Sequence, residues 1–295
     1  MAISANMAER PALIVSPGRS MTLSGLVWLA PALILFAVFY VAPLARMILV
    51  GLNWPTMSLE NYRQLISDDI YAAVFVVTLK IAAYVTVGSL IVGYPIAYYL
   101  SKLNGAGLAL ALAFVLLPFW TSVLVRNYAW LVLLGRQGIV NSLLLGLGVI
   151  DQPLSLMFNT TAVVIGMTYV LIPFMILSLF SVMRTIAPVH LRASASLGAT
   201  RLQTFWRIFF PLSLPGMYAG SLLVFITAIG FYITPALLGG GRVPMIAVLI
   251  EAQVRGVLNF GIGSALGTLL LIIVLGIYYV FDRLLGVEQL FSRGH

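Results

Sequence analysis

Residues 161–183 read TAVVIGMTYVLIPFMILSLFSVM, a run of 23 residues without one charged side chain. An α-helix needs roughly 20 apolar residues to cross the hydrocarbon layer of a membrane. Such a helix also satisfies its own backbone hydrogen bonds, which lipid cannot do. This run therefore predicts a membrane-spanning helix, and the fold of the chain depends on how many similar runs accompany it.

Apolar residues dominate the whole chain of 295 residues, of which 62% are hydrophobic and 8% are charged, with a mean hydropathy of +1.09. A soluble domain has about 25% charged residues, so this composition predicts an all-α integral membrane protein with a single transmembrane domain over residues 1–295. The stretch 139–150 is too short to span and is expected to form a re-entrant or interfacial helix. Six spans are predicted, over residues 26–45, 73–100, 107–125, 161–183, 217–238 and 264–281.

The net charge of +8 is spread between the apolar runs, which argues against a nucleic-acid partner. With the N-terminus in the cytoplasm, nine basic and three acidic side chains fall on the cytoplasmic side, against six and five on the other side. Lysine and arginine are enriched in the cytoplasmic loops of membrane proteins. The sequence thus predicts a cytoplasmic leader over residues 1–24, a first span within 25–45 and two cytoplasmic termini.

The longest predicted cytoplasmic loop, residues 184–216, contains four arginines and no acidic residue. Two short helices are expected in it. Pro188 suits the first position of a helix, and Gly198 can adopt the left-handed conformation that ends one. After this turn, Pro211 and Pro215 are expected to end the second helix before the fifth span begins.

The second helix of this loop is predicted to be amphipathic. An amphipathic helix is suited either to contact with another protein or to a position among lipid headgroups. The apolar stripe consists of Leu202, Phe205, Trp206 and Phe209, and the side facing away carries Arg201 and Thr204.

The spacing within this loop resembles the cytoplasmic signature of the permeases of binding-protein-dependent ABC importers. That signature runs Glu-Ala-Ala, three residues, Gly, nine residues, Ile, any residue, Leu and Pro, and residues 192–211 read RASASLGATRLQTFWRIFFP. Gly198, Ile208 and Pro211 fall on consensus positions, and Phe210 replaces the leucine. Arg192, Ala193 and Ser194 stand where the family has Glu-Ala-Ala.

The resemblance extends from residue 61 to the sixth span. It implies the fold of a type I ABC importer permease, with six transmembrane helices, a permease core over residues 61–285 and a coupling loop over 184–216. The stretches that resemble the first permease of spermidine/putrescine-type importers are GYPIAYYL (93–100), LLPFWTSVLVRNYAW (116–130), IGMTYVLIPFM (165–175), LPGMYAG (214–220) and ALLGG (236–240).

In this family the loop docks into a groove of a cytoplasmic ATPase subunit. The resemblance therefore implies a bacterial inner membrane and, as partners, an ATPase dimer, a second permease in a heterodimer and an extracytoplasmic solute-binding protein. This chain is expected to bind no cofactor or metal, with ATP and Mg²⁺ held by the ATPase. The coupling residues that the resemblance implies are Arg192, Ala193, Ser194, Leu197, Gly198, Ala199, Phe205, Ile208 and Pro211.

The sequence supports a separate ATPase independently of the resemblance. A phosphate-binding loop requires Gly-Lys-Ser/Thr, but the only lysines, Lys80 and Lys102, are followed by Ile81 and Leu103. One residue departs from the family pattern, because Arg192 replaces the signature glutamate and reverses its charge. We expect the partner groove to be correspondingly acidic.

Three aromatic residues, Trp120, Tyr128 and Trp130, are candidates for the solute pathway, because such rings can stack on an alkyl chain or cover an ammonium group. An aromatic belt at the outer membrane interface explains them equally well. Glu251 is placed at the outer mouth. Lys80, inside the second span, either extends to the surface or lines the pathway, where it would repel a polycation and attract a carboxylate.

The solute class therefore stays open between polyamines and opines, aminophosphonates or other amino-acid derivatives. An ion-coupled secondary transporter is the alternative function, although such proteins usually carry membrane-embedded carboxylates that this sequence lacks. An intramembrane hydrolase is disfavoured because both histidines, His190 and His295, lie outside the predicted spans, and cysteine is absent.

Overall fold

The computed structural model describes residues 23–285, and every regular element in that range is helical. The predicted all-α class is therefore confirmed. Most of the predicted leader lies outside the described residues. The helices are α1 Leu23–Phe36, α2 Ala42–Gly51, α3 Glu60–Ser67, α4 Asp69–Leu100, α5 Gly105–Trp120, α6 Val123–Leu134, α7 Ile139–Gly146, α8 Thr160–Thr185, α9 Pro188–Ser196, α10 Arg201–Thr204, α11 Phe210–Ile229, α12 Ile233–Leu238, α13 Ile246–Glu251 and α14 Phe260–Leu285.

Six helical stretches in this range are long and apolar enough to cross a membrane. Five of them overlap the predicted spans 26–45, 73–100, 161–183, 217–238 and 264–281, which confirms the predicted number and most of the predicted positions. The six stretches are Leu29–Gly51, Asp69–Leu100, Val123–Gly146, Thr160–Thr185, Arg201–Ile229 and Phe260–Arg283.

The predicted third span, residues 107–125, has wrong bounds. Its helix α5 ends at Trp120 and is 16 residues long, which at 1.5 Å per residue gives about 24 Å, less than the hydrocarbon thickness of about 30 Å. Thr121 is extended, and a new helix starts at Val123. A helix is present within 139–150 as α7. Together with α6 it forms the stretch Val123–Gly146, which is long and apolar enough to cross a membrane, whereas the sequence predicts a separate re-entrant or interfacial helix there.

The predicted fifth span, residues 217–238, is also corrected at both ends. The helix runs without interruption from Arg201 to Ile229, then breaks at Gly230 before the short helix α12. Pro211 and Pro215 lie inside it and do not end it. The turn Phe205–Phe209 is π-helical, and this wider turn accommodates the proline that follows, whose ring otherwise presses on the preceding carbonyl.

A π-helical turn before a proline also occurs in the first unit of the chain, which extends to Met47. The turn Ala37–Val41 joins α1 to α2, and Pro43 lies two residues after it, just as Pro211 lies two residues after the turn that ends at Phe209. The stretch is apolar around its whole circumference, which is typical of a membrane span.

In the second unit, residues 48–285, the core lies where α4, α8 and α11 pack together. Met167, Leu171 and Met175 on α8 are fully buried there. Glycine permits the close approach of α11, because a Cβ at Gly216 would lie 3.0 Å from the carbonyl oxygen of Ser178 on α8. Small residues at helix contacts are the usual means of packing helices in lipid, where no hydrophobic force draws helices together.

A second cluster of buried residues joins α3, the start of α4, α13 and α14. Its polar link is Thr78 on α4, whose hydroxyl oxygen accepts a hydrogen bond from the backbone N–H of Ile246 at 2.9 Å. This cluster marks the end of the bundle opposite to the turn 101–104. We call the end that carries this turn the coupling end, because the loop after α8 also lies there: Arg184 donates a hydrogen bond to the carbonyl of Leu103 at 3.0 Å.

Candidate functional site

The first candidate site is the coupling element, residues 186–211, in which α9 and α10 are joined by a turn at Gly198. Helix α9 begins with Pro188 at its first turn, as predicted. Gly198 has a φ of +81°, a conformation that L-residues rarely adopt. The N–H groups of Gly198 and Ala199 donate to the carbonyls of Ala195 and Ser194 at 3.0 and 3.1 Å, which is the Schellman ending of a helix.

The start of α10 is fixed by a reciprocal cap. The backbone N–H of Gln203 donates to the Thr200 hydroxyl at 3.3 Å, and the Gln203 side chain accepts from the N–H of Thr200 at 2.9 Å. Thr204 was predicted to face away from the apolar stripe, and this is wrong: its hydroxyl lies 2.7 Å from that of buried Ser194. This contact ties α9 to α10.

The predicted coupling residues divide between two faces of the element. Leu197 is 88% exposed at the tip, together with exposed Arg192, Ala193 and Gly198. Ser194 is buried, whereas Phe205 and Ala199 are half-buried. An apolar groove of about 480 Å³, here called the docking groove, separates α9 from the start of α11; it is lined by His190, Ala193, Ser194, Leu197, Arg207, Ile208, Pro211 and Leu212.

Aromatic residues connect the coupling element to the bundle. The ring of Phe205 lies edge-on to Tyr98 on α4, with centroids 5.5 Å apart, and Tyr98 packs on Phe209 at 4.9 Å. The hydroxyl of Tyr94, one turn earlier on α4, lies 2.8 Å from that of Ser213 on α11. Sequence reasoning assigned no role to Tyr94 or Tyr98, although their spacing of four residues places both on one face of α4.

The second candidate site is the break between α5 and α6, where carbonyl groups at the end of α5 lose their helical partners. Arg126 on α6 supplies new ones. Its Nη2 donates to the backbone oxygen of Thr121 at 2.9 Å, to the Thr121 hydroxyl at 3.0 Å and to the backbone oxygen of Pro118. The guanidinium carbon also lies 5.9 Å from the ring centroid of Tyr169. From the sequence, Arg126 is predicted only as one of the six basic side chains on the side opposite to the cytoplasm.

Contacts with α8 locate this break within the bundle. Phe119, at the end of α5, packs on Phe174 with ring centroids 5.0 Å apart, and Trp130 on α6 packs on Tyr169 at 5.7 Å. Phe174 is 11 residues from the coupling end of α8, which is about 16 Å along the helix. Helices α5 and α6 therefore ascend along α8 as two pieces that meet at mid-membrane depth.

The predicted pathway residues are not all brought together. Trp130 packs into this region, whereas Trp120 is 89% exposed and Tyr128 is also exposed. Lys80 is exposed on the side of α4 away from buried Ile81 and Ala82. No cluster of His, Cys, Asp or Glu suited to a metal ion occurs in the part of the chain that the structure describes.

Glu251 lies at the opposite end from the coupling element, where it neighbours Tyr232 and Arg255. Burial and, secondarily, the Glu251 carboxylate raise the pKa of Tyr232, while Arg255 acts in the other direction. Tyr232 lies directly after the break at Gly230. Glu251 is thus close to the broken end of the fifth span, and its place at the outer mouth of a pathway stays a prediction.

Comparison with known proteins places these sites in context. The model of a family described as "Binding-protein-dependent transport system inner membrane component" matches residues 89–286. The spermidine/putrescine transport system permease protein PotB of Escherichia coli (strain K12) is 38% identical over 232 residues, which cover 78% of this chain and 84% of that protein. The PotB protein of Haemophilus influenzae is 36% identical over 233 residues, which cover 78% and 81%.

Two solved structures share the fold. A chain of a bacterial alginate ABC transporter in complex with an alginate pentasaccharide-bound periplasmic protein has a TM-score of 0.73 at 17% identity, covering 89% of this chain and 94% of that chain. A chain of the MetNI methionine ABC transporter in an inward-facing conformation has a TM-score of 0.54 at 17% identity, covering 74% and 95%.

Proposed function

The chain belongs to the family of binding-protein-dependent transport system inner membrane components, and we propose that it forms one half of the membrane pathway through which an ATP-driven importer moves polyamines. It is a multi-pass inner-membrane permease subunit of an ABC importer and not an enzyme. This family membership excludes the alternative of an ion-coupled secondary transporter. The solute, the identity of the partners and the orientation of the chain are the parts that we propose.

The coupling end faces the cytoplasm in this proposal. The turn 101–104 and the loop 184–216 together carry five basic residues and no acidic one, and lysine and arginine favour the cytoplasmic side of a membrane. They are Lys102, Arg184, Arg192, Arg201 and Arg207. We propose that the N-terminus also lies in the cytoplasm, as the distribution of lysine and arginine along the sequence predicts.

The docking groove and the exposed tip at Leu197 receive a cytoplasmic ATPase subunit, which binds ATP and Mg²⁺. Three features support this. The tip exposes the apolar side chain of Leu197, its turn is fixed by the backbone bonds around Gly198, and its inner face is tied to α4 and α11 through Phe205 and Tyr98. Movement of the tip is thus transmitted to two core helices. A second permease and a solute-binding protein complete the importer.

The proposed polyamine cargo rests first on the 38% identity to PotB. Aromatic rings beside the break between α5 and α6 give it secondary support, because Trp130 packs on Tyr169 there and the face of such a ring attracts an ammonium group. The carbonyl groups at the end of α5 already accept hydrogen bonds from Arg126, so they do not count toward binding of the solute.

Uptake into proteoliposomes that contain the reconstituted importer tests this proposal. We expect ATP-dependent uptake of spermidine or putrescine and none of opines or aminophosphonates. We expect Lys80→Ala to leave polyamine uptake within about twofold of the wild type, because a lysine charge repels a polycation and is therefore not expected to be among the groups that bind it. Uptake of anionic or zwitterionic solutes by the wild type would contradict the polyamine assignment. Loss of that uptake in Lys80→Ala would place Lys80 in the pathway.

A further inference from the structure

A second cavity lies on the other side of the coupling element from the docking groove. It has a volume of about 740 Å³, within the usual range of ligand sites of about 300–1,000 Å³. One wall is formed by the coupling element, including Leu191 and Arg201. The other wall is formed by the ends of α4 and α8, including Tyr98, Lys102 and Arg184. We call it the basic cavity.

Three cations line the basic cavity and no carboxylate does. Neither segment that forms it contains an acidic residue, since the sequence has none in 70–150 and none in 152–250. Lys102, Arg184 and Arg201 therefore cannot be neutralised by neighbouring side chains of these segments. Like charges held around one space repel each other, and an anion placed between them removes that repulsion.

Two of these cations are held in position. Arg184 donates from Nη1 to the carbonyl of Leu103 and from Nη2 to Asn104 at 3.3 Å, and Lys102 Nζ lies 3.7 Å from the centroid of the Tyr98 ring. These contacts hold both side chains at the cavity wall. Their partners are a carbonyl, an amide oxygen and an aromatic ring, so the two positive charges are not neutralised. Guanidinium groups match the geometry of phosphate oxygens, to which they donate paired hydrogen bonds.

The inner part of the basic cavity is apolar. Met183 and Phe209 are almost fully buried there, and Tyr98 and Phe205 add their rings. These residues belong to the last turns of the spans at the coupling end, at the depth where the headgroups of a leaflet give way to acyl chains. A phosphate next to an apolar segment is the chemistry of a phospholipid, and basic pockets between spans at this depth suit anionic headgroups.

We propose that the basic cavity binds the phosphate of an anionic phospholipid, such as phosphatidylglycerol, from the leaflet at the coupling end. The headgroup contacts Lys102 and Arg184 on the bundle and Arg201 on the coupling element. A bound lipid thus bridges the part that moves with the ATPase and the helices that form the pathway. The leaflet is the cytoplasmic one in the proposed orientation, but the binding itself does not depend on the solute.

Native mass spectrometry of the permease complex extracted from phosphatidylglycerol or phosphatidylcholine nanodiscs tests this inference. We expect phosphatidylglycerol to be retained and phosphatidylcholine to be lost. In a double variant, Lys102→Gln with Arg201→Gln, we expect retention to fall by roughly tenfold. The charge-conserving pair Lys102→Arg with Arg201→Lys is expected to retain the lipid, which separates charge from folding.

The matched control removes two exposed charges that lie outside both the basic cavity and the docking groove, by Arg136→Gln with Arg283→Gln. We expect it to keep the lipid. An equal loss in both glutamine pairs, or equal retention of the two lipids, would overturn the proposal. Displacement of the lipid by millimolar inorganic phosphate would show that the basic cavity binds free phosphate. Release of the lipid when the ATPase subunits assemble would show that protein occupies the cavity. Either outcome would reject a lipid site. Transport is not measured, so failure here leaves the polyamine proposal untouched.

Discussion

Replacement of Gly198 with valine is expected to reduce solute-stimulated ATP hydrolysis by the assembled importer by roughly tenfold, without loss of insertion into the membrane. The φ of +81° at this position costs an L-residue about 1–2 kcal/mol, and more for a β-branched side chain. This energy is the backbone strain of the turn and includes no steric clash, because a Cβ at residue 198 would meet no atom within 4 Å. A penalty of this size shifts the population of the bent element by a factor of about 5–30.

Two further variants make this result specific. Gly198→Asn is expected to recover most of the hydrolysis, because asparagine tolerates the left-handed conformation. Gly276→Val on α14 is the control, since a Cβ there also meets nothing and the backbone is helical. Wild-type stimulation in Gly198→Val, measured with the purified complex, would show that the bend has no part in coupling.

Removal of the Arg126 side chain is expected to have the second large effect. Arg126→Ala leaves the carbonyl oxygens of Pro118 and Thr121 without a donor at mid-membrane depth, where hydrogen bonds to a charged group contribute about 1.5–3 kcal/mol each. We expect polyamine uptake to fall about tenfold or more. Arg126→Lys, which keeps the charge and loses the planar fork, is expected to be intermediate.

The control for this experiment is Arg136→Ala, which removes an exposed arginine from the turn between α6 and α7. We expect it to transport like the wild type. Thermal stability of the detergent-solubilised permease provides the second readout, because an uncapped α5 lowers stability as well as uptake. Arg126→Ala with unchanged stability and uptake would mean that the break needs no cap.

The sequence predicted the spans well because burial in lipid requires long apolar runs, and such runs are visible without a structure. It also predicted the turn at Gly198, since a glycine after a short helix has a local reason to end it. The break at Thr121 was missed because Thr121 and Ser122 interrupt the apolar run without a charge. Arg126, four residues later, was then assigned to the outside, as a charge beyond a completed span would be.

Two other errors come from treating local rules as sufficient. Pro211 and Pro215 normally end a helix, but this helix continues through both, and the π-helical turn at Phe205–Phe209 accommodates Pro211. Thr204 was placed on the polar side because of its side chain alone, whereas its partner is Ser194, on the other side of the Gly198 turn. A contact between helices decides the position of Thr204, and one sequence does not reveal which side chains meet.

Cross-linking from Leu197 is the most direct measurement of the central claim, that the tip of the coupling element transmits force from an ATPase. The chain has no cysteine, so Leu197→Cys introduces a single thiol at a site that is 88% exposed. With a short thiol-to-amine reagent, we predict a covalent product with the ATPase subunit whose yield changes when ATP binds, and none from Leu147→Cys at exposed Leu147 after α7. An intact, transporting complex in which Leu197→Cys reacts with lipid alone would contradict the account.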